Sequence, residues 1–379
     1  MTVITRENVI EMTKQIAKEV VLPLASEIDQ QRRFPTEAFE VFAKTGLLGL
    51  LVPKNLGGLG GSLADLAAIT EILAESCGST AMCFQMHSCG TMAIVSRAND
   101  SQKEYYLREI AKGNKIGTLA FSESGTGAHF YNPTIKAQYR DGHYILNGKK
   151  SFVTNGEQAD FLIILTNSVS ENKLDMIIVD TDQPGIEFKG KWEGIGFSGN
   201  NSITVEMKNV LVPQANLIGS EGDGMDLVFE VVAPTFIIGV AGANVGLARG
   251  AYRAALDHAK KRRYADGRSL AEIQAIQFYL SEMYGAVESA SLFIKSAAQA
   301  AVDKEEGAVL NVMQSKILAC EIAQKVTNQA MQVCGGQGYT AALPVERFLR
   351  DARAGSVMAP TSETLKEWVG KSVAGIPLF

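Results

Sequence analysis

The sequence predicts an α+β protein with a helical N-terminal domain (residues 1–116), a central β domain (117–223) and a C-terminal four-helix bundle (224–379). Three observations favour this order. Apolar residues recur at helical spacing over the first ~115 residues, and short runs rich in branched side chains fill about the next hundred. Long helical patterns then return after Gly224. At 379 residues, the chain is long enough to bury a sizeable core.

The N-terminal domain is predicted from helical patterns broken by turn residues. Ile10–Ala25 has apolar residues at helical spacing, and Pro35-Thr-Glu-Ala-Phe-Glu40 is typical of a helix start. Pro53–Gly61 is predicted to be a loop, because its glycines adopt conformations closed to other residues. Ser62-Leu-Ala-Asp65 then opens a helix that runs to about Ser76, with the serine as N-cap.

The central domain is predicted from short strands separated by tight turns. Asp141-Gly142 and Asn147-Gly148 supply the turn chemistry of hairpins. The predicted strands are Ile135–Tyr139, Tyr144–Gly148, Phe161–Thr166, Met176–Val179 and Ile203–Met207. An insert of about 100 residues has the size of a small barrel or sandwich.

The C-terminal domain is predicted from four helical segments, centred near residues 245, 285, 320 and 370. The first contains Val231–Ala248, an almost entirely apolar run whose length approaches the ~18 residues of a membrane span. Pro234, Asn244 and nearby charged residues favour a buried central helix instead. Within it, Gly242-Ala-Asn-Val-Gly246 would allow another helix to approach closely.

Composition narrows the class of protein. Charged residues are 20% and hydrophobic residues 46% of the chain, as in soluble globular proteins. A net charge of −5 gives no electrostatic reason to bind nucleic acid or an acidic membrane. Five cysteines, an odd number, favour reduced thiols in a cytoplasmic setting, and no metal site is predicted. Met1–Asn8 lacks the basic and apolar regions of a signal peptide.

The most informative motif lies in the C-terminal domain. It reads Gln332-Val-Cys-Gly-Gly-Gln-Gly-Tyr339, then Arg350-Asp-Ala352, then Met358-Ala-Pro-Thr-Ser-Glu363. The run Gln-x-x-Gly-Gly-x-Gly-Tyr, followed by Arg-Asp-Ala, resembles the C-terminal signature of the acyl-CoA dehydrogenase family. The resemblance implies FAD as the cofactor, with contacts from Gln332, Gly335, Gly336, Thr361 and Glu363.

Two further motifs lie in the central domain. Leu119-Ala-Phe-Ser-Glu-Ser-Gly-Thr-Gly-Ala-His129 is similar to a family segment that covers one flavin face and borders the thioester tail. Lys150-Ser-Phe-Val-Thr-Asn-Gly156 resembles the family's Lys-x-Trp-Ile-Thr-Asn-Gly, whose threonine approaches the flavin N5 that receives hydride. The resemblance implies flavin contacts from Phe121, Ser122, Phe152 and Thr154, and a substrate contact at Ala128.

A fourth motif, Arg263-Tyr-Ala-Asp-Gly267 followed by Gln274, resembles the family's Arg-x-x-Phe-Gly and Gln-Ala. Arg263 is the expected pyrophosphate contact, because its guanidinium is a rigid, always charged set of donors. Asp266 stands in place of the family aromatic. The four matches, in family order, imply an FAD-dependent homotetramer in which Gln332–Gly338 serves the flavin of a neighbouring subunit.

Neither family position for the catalytic base holds a residue that can remove a proton. Family dehydrogenases abstract a weakly acidic proton from the α-carbon of the substrate, which requires a positioned base. The aligned residues are Ala359 and, on the central helix, Phe236, while Ile237 stands where relatives carry arginine. Phe236 and Ile237 are therefore assigned to the substrate side. His87 and His129 are the replacement candidates, since histidine titrates near neutrality.

Three functions are compatible with this sequence. The first is FAD-dependent oxidation of an acyl thioester, on CoA or acyl carrier protein, with a non-standard base and with oxygen or an electron-transfer flavoprotein as acceptor. The second is different flavin chemistry on the same fold, either monooxygenation or oxidation of a hydroxyl on a carrier-bound unit. The third is binding of flavin or a partner without catalysis. We expect the first, because the flavin motifs are retained.

Overall fold

The computed structural model describes residues 5–378 and confirms the α+β class. The first four residues of the predicted N-terminal domain, and residue 379, lie outside this range. The N-terminal helices are α1 (Arg6–Ile16), α2 (Leu22–Gln31), α3 (Thr36–Thr45), α4 (Leu63–Ser76), α5 (Gly78–Arg97), α6 (Asp100–Gln102) and α7 (Arg108–Ala111).

The start of α4 is the N-cap that the sequence predicts. The Ser62 hydroxyl accepts a hydrogen bond from the Asp65 N–H at 3.4 Å, and the Asp65 carboxylate accepts one from the Ser62 N–H at 2.8 Å. This capping box satisfies two donors that the first helical turn leaves free. The helix ends at Ser76, also as predicted.

Two sheets form the central region. Its strands are β1 (Gly117–Ala120), β2 (Gln138–Arg140), β3 (His143–Val153), β4 (Phe161–Asn167), β5 (Leu174–Asp180), β6 (Ile186–Lys189) and β7 (Ile203–Pro213). One sheet has the order β1-β4-β5 with β1 parallel to β4, and the other is antiparallel with the order β2-β3-β7-β6. Side chains of both sheets, among them Leu146, Ile164 and Val205, share one core, so the region is a sandwich.

Two strands, one turn and several strand boundaries differ from the prediction. Asn147-Gly148, predicted as a hairpin turn, lies inside β3, where the register with β7 shifts. β1 and β6 have four residues each, which is too short for a clear alternation to show. The predicted strand Ile135–Tyr139 is regular only from Gln138. Its first residues instead lie against the end of β4, where the Asn167 N–H donates to the Ile135 carbonyl at 2.8 Å.

The C-terminal helices are α8 (Gly224–Leu227), α9 (Ala233–Lys261), α10 (Gln274–Val302), α11 (Ala308–Gly338), α12 (Val345–Val357) and α13 (Ser362–Val373). The four predicted segments correspond to α9, α10, α11 and α13, and α12 is an addition that the helical patterning did not reveal. By length and hydropathy, one helix in the described range, Gly224–Lys261, could cross a membrane, but 83% of its most apolar window is buried. It is the buried central helix predicted from Val231–Ala248.

Two glycines allow α9 to pack closely on α4, as predicted. A Cβ at Gly242 would lie 2.5 Å from the Ala67 carbonyl oxygen, and one at Gly246 would lie 2.2 Å from the Glu71 carbonyl oxygen. Any larger residue would push the helices apart. This contact fixes the central helix against the N-terminal helices and so fixes one wall of the site described below.

Candidate active site

A cavity of about 480 Å³ lies where the N-terminal helices, the sandwich and the C-terminal helices meet. Its walls come from α5, β1 with the loop that follows it, β3, the loop between β6 and β7, α9, and the end of α12. Most of the walls are apolar, with Met82, Met86 and Phe236 among them. A cavity of this size suits a small molecule or part of a cofactor.

The sandwich side of the cavity carries hydroxyl groups at the ends of strands. Phe121 and Ser122 follow β1, Thr154 follows β3, and all three, which are predicted cofactor contacts, line the cavity. The Ser122 carbonyl accepts a hydrogen bond from the Ser151 N–H at 2.8 Å, which joins the loop after β1 to β3. The Thr154 hydroxyl makes only a long contact of 3.5 Å with the Ser202 hydroxyl, so it is available to a ligand.

Phe152 presents an uncovered aromatic ring to the cavity. Its side chain is 65% exposed, and its backbone has a φ of +54°. The ring packs edge-on against Trp192 with centroids 6.2 Å apart. A large aromatic ring exposed on a cavity wall is a surface that a flat ligand can cover.

A buried ion pair holds the loop after β1 in place. The Lys150 ammonium donates to a Glu123 carboxylate oxygen at 2.7 Å, and the two side chains are 0% and 4% exposed. The same ammonium donates to the Phe121 carbonyl at 3.2 Å, and the carboxylate also accepts from the Thr134 N–H at 2.7 Å. Burial lowers the pKa of Lys150 to about 8. Burial raises the pKa of Glu123, but the charge of Lys150 and these hydrogen bonds outweigh that effect and lower it.

The segment Met358–Pro360, after α12, forms another wall. Ala359 and Phe236, which the motif resemblance predicts at the two family base positions, both line the cavity. Behind this wall lies Lys316 of α11, whose ammonium donates to the carbonyls of Met358 at 2.7 Å and Pro360 at 2.6 Å. Both positions face the cavity, and neither side chain can accept a proton.

The structure contradicts His87 as a candidate base. Its side chain is fully buried, and it does not line the cavity. Its Nε2–H donates to the Leu48 carbonyl at 2.9 Å, and its Nδ1 accepts from the Gly117 N–H at 3.1 Å. Burial lowers the pKa of His87 to about 4. The ring is a neutral bridge between helices and β1, with both nitrogens occupied.

Three other predicted residues lie off the cavity walls. His129 is exposed and packs edge-on against Tyr131 at 5.8 Å, while its neighbours Gly127 and Phe130 do line the cavity. Ala128 is half-buried and contributes no wall. Ile237 is 3% exposed and belongs to the hydrophobic core, so its assignment to the substrate side is corrected. Neighbouring side chains on a helix point about 100° apart, so Phe236 faces the cavity while Ile237 faces the core.

The predicted pyrophosphate and glycine-motif residues lie apart from this cavity within one chain. Arg263, Gln274, Gln332, Gly335 and Gly336 are all exposed and do not line it. The ends of α9 and α11, which adjoin the Arg263 and Gln332 segments, instead border a second hollow of about 460 Å³. The Asp266 carboxylate is not paired with Arg263, because it accepts a hydrogen bond from the Arg268 guanidinium at 2.7 Å.

Thr361 and Glu363 lie at the start of α13 and are not cavity residues. The Thr361 hydroxyl accepts from the Thr364 N–H at 3.2 Å as the N-cap of this helix. Glu363 is exposed in the first helical turn, where backbone N–H groups lower its pKa.

Sequence reasoning assigned no role to four cavity features. Met82, Met86 and Trp192 line the walls, and Lys316 lies behind the Ala359 wall. A signal for Lys316 exists, since it is flanked by Val312, Met313, Ile317 and Cys320 on the buried face of α11. A lysine on an apolar stripe indicates a buried ammonium. Within residues 5–378, Glu123 is the one carboxylate among the cavity-lining residues, and it is engaged by Lys150.

Three family models match the chain in the order of its layers. The acyl-CoA dehydrogenase N-terminal domain matches residues 5–114, the middle domain 118–210 and the C-terminal domain 224–374. The chain belongs to the acyl-CoA dehydrogenase family. It is an oxidoreductase of the type that acts on CH–CH bonds of acyl thioesters.

Individual relatives agree with this assignment. A short-chain specific acyl-CoA dehydrogenase from Clostridium acetobutylicum is 31% identical over 371 residues, covering 96% of this chain and 97% of the relative. An acryloyl-CoA reductase (NADH) from Anaerotignum propionicum is 32% identical over 380 residues, covering 98% and 95%. The solved structure of butyryl-CoA dehydrogenase from Megasphaera elsdenii has a TM-score of 0.93 at 24% identity, covering 97% and 98%, and so shares the fold.

Proposed function

We propose that this chain is an FAD-dependent dehydrogenase or oxidase of thioesters whose acyl group is uncharged. The enzyme works without a carboxylate at either family base position. The observation that supports the proposal best is the composition of the cavity walls. Hydroxyl groups lie on one side, apolar side chains on another, and Ala359 and Phe236 occupy the two base positions. No lysine, arginine or histidine of residues 5–378 lines the cavity, which favours acyl groups without a negative charge.

The residues of the sandwich side fit FAD. A flavin ring is flat and largely apolar, with a polar edge, and Phe152 offers an aromatic face that is 65% exposed. Ser122 and Thr154 place hydroxyl groups beside that face, where they can donate to the ring edge. When bound, FAD supplies a hydride acceptor for the β-carbon of the substrate.

The chain's own residues would then bind and orient the thioester. Met82, Met86 and Phe236 offer an apolar surface to the acyl chain. The Met358 carbonyl accepts from Lys316, so the Ala359 N–H, on the opposite side of the same trans peptide, points away from Lys316. In the described range this N–H has no hydrogen-bond acceptor, and it is a donor for the thioester carbonyl.

The α-proton must leave without a protein carboxylate in contact with it. The α-proton must therefore pass to water or to a basic group on the substrate itself. We also propose, from the family, a homotetramer in which Arg263 and Gln332–Gly338 of one subunit contact the FAD of another. The electron acceptor is an electron-transfer flavoprotein if the enzyme is a dehydrogenase and oxygen if it is an oxidase. A chain from a solved structure in a study of the electron-transferring flavoprotein of Acidaminococcus fermentans has the same fold as this chain, with a TM-score of 0.92 at 25% identity.

Anaerobic reduction of the bound flavin tests the proposal. FAD-loaded protein is mixed with saturated acyl-CoAs and acyl-carrier thioesters, and the oxidised flavin band is followed. Bleaching by a saturated thioester supports the proposal. If the flavin bleaches with dithionite but with no saturated thioester, the proposal is wrong. Bleaching by a hydroxyacyl carrier thioester alone would then indicate hydroxyl oxidation, and substrate oxygenation by externally reduced flavin would indicate a monooxygenase.

A further inference from the structure

Lys316 is a buried cation without a carboxylate partner. Its side chain is 0% exposed, in the first third of α11. No carboxylate oxygen of residues 5–378 lies within 4.0 Å of its ammonium. Two main-chain carbonyls solvate it instead, those of Met358 at 2.7 Å and Pro360 at 2.6 Å. A buried charge without a counter-ion is costly and therefore rare unless it has a role.

The groups that face Lys316 keep it charged near neutral pH. Burial lowers its pKa to about 8, and the Cys320 thiol on α11 and the Glu363 carboxylate on α13 act in the opposite direction. From α9, the Phe236 ring lies 5.6 Å from the ammonium. Ala359 adds no negative charge to the wall between Lys316 and the cavity. The positive charge of Lys316 is therefore not neutralised by a charge on this wall.

The field reaches the cavity through one peptide group. The ammonium binds the Met358 oxygen and draws electron density from the Met358–Ala359 peptide, which strengthens the Ala359 N–H as a donor. Since C=O and N–H are antiparallel in a trans peptide, this donor lies on the side away from Lys316. A charge that stabilises an anion across one peptide shifts the pKa of that anion's acid by about one unit at an effective dielectric constant of about 20.

We propose that Lys316 is a positioning residue that makes the Ala359 wall electropositive and so stabilises negative charge on the carbonyl oxygen of a bound acyl thioester. The inference rests on the proposed function. When the α C–H bond breaks, its electron pair moves onto the thioester oxygen and the proton passes to water. A positive wall makes that step easier by about one pKa unit, which offsets part of the loss of the carboxylate base. Lys316 acts through the Met358–Ala359 peptide and does not touch the substrate.

Ionisation of a bound enolisable probe tests this role. FAD-loaded protein is titrated with acetoacetyl-CoA at a series of pH values under anaerobic conditions, and the absorbance of the enolate and its long-wavelength band with oxidised flavin are followed. We expect the apparent pKa of the bound probe to rise by about one unit in Lys316→Met. Lys316→Arg, which keeps a charge at every accessible pH, should hold the pKa near that of the unchanged protein.

Lys325→Met is the matched control, because Lys325 is an exposed lysine of the same helix. It should leave the probe pKa unchanged. Equal probe pKa values in Lys316→Met and the unchanged protein would overturn the inference while leaving thioester binding intact. If Lys316→Met does not fold, Lys316→Gln, which retains one donor for the wall, takes its place with the same expected rise. Failure of every thioester to bind would overturn the proposed function, and the inference with it.

Discussion

Replacing Glu123 by glutamine removes one partner of the buried pair that holds the loop after β1. Lys150 would remain 0% exposed with no counter-ion, although it keeps the Phe121 carbonyl at 3.2 Å. Breaking such a pair costs about 3–5 kcal/mol where the orphaned charge persists. Because the pKa of Lys150 is about 8, loss of its proton limits the cost at pH 7 to about 1–2 kcal/mol. With an unfolding entropy of about 2.1 cal/mol/K per residue, a chain of 379 residues should lose about 2 °C in Tm.

Calorimetry and flavin retention measure this effect. Glu123→Gln should lower Tm and weaken FAD binding, because the loop carries Ser122. The double variant Glu123→Gln/Lys150→Met should be more stable than Glu123→Gln, since it leaves no buried charge unpaired. The control is Glu187→Gln, whose side chain is 49% exposed and whose ion pairs should contribute less than about 1 kcal/mol. A Tm for Glu123→Gln within about 1 °C of the unchanged protein would refute the reasoning.

Three further predictions follow from the same geometry. The pKa of His87 is about 4 in the folded protein and 6.5 in the unfolded chain, so the unfolded state binds more protons between these pH values. The free energy of unfolding should therefore fall by about 3 kcal/mol as the pH drops from 6.5 to 4. Urea titrations should show that this pH-dependent component is missing in His87→Gln. Ala359→Glu should speed anaerobic flavin reduction by a saturated acyl-CoA at least about 100-fold in stopped-flow traces, and an unchanged rate would mean that the cavity itself has diverged. Phe152→Ala should raise the Kd of FAD about tenfold by fluorescence titration, with the Tm of flavin-free protein unchanged, because this ring is 65% exposed before the flavin covers it.

The sequence was most informative where local physical chemistry decides the structure. Ser62 and Asp65 form the predicted capping box, and Gly242 and Gly246 form the predicted close contact with α4. Both outcomes depend on residues within one turn or on the size of one side chain. The strands β1 and β6 were not predicted, because four residues are too few to show a clear alternation of apolar and polar side chains.

The candidate site residues also differ in how far local sequence predicts their positions. Those read from motifs that continue a strand, such as Ser122 and Thr154, lie on the cavity wall. His87 is a candidate because histidine titrates near neutrality and because the family fold places its segment near the acyl pocket. Its hydrogen bonds to Leu48 and Gly117 join it to residues 39 and 30 positions away in sequence. Burial and pairing of this kind depend on the whole fold, so no local pattern reveals them. The same holds for the position of Lys316 behind Met358, 42 residues distant.

Product analysis of a single anaerobic turnover shows whether this protein oxidises a saturated acyl thioester. FAD-loaded protein is mixed with one equivalent of a saturated acyl thioester, and the thioester is recovered and identified by mass spectrometry. We expect one α,β-unsaturated thioester for each flavin reduced, formed with alanine at position 359 and phenylalanine at position 236. Recovery of the saturated thioester alone, from protein whose bound flavin is reducible by dithionite, would contradict this expectation.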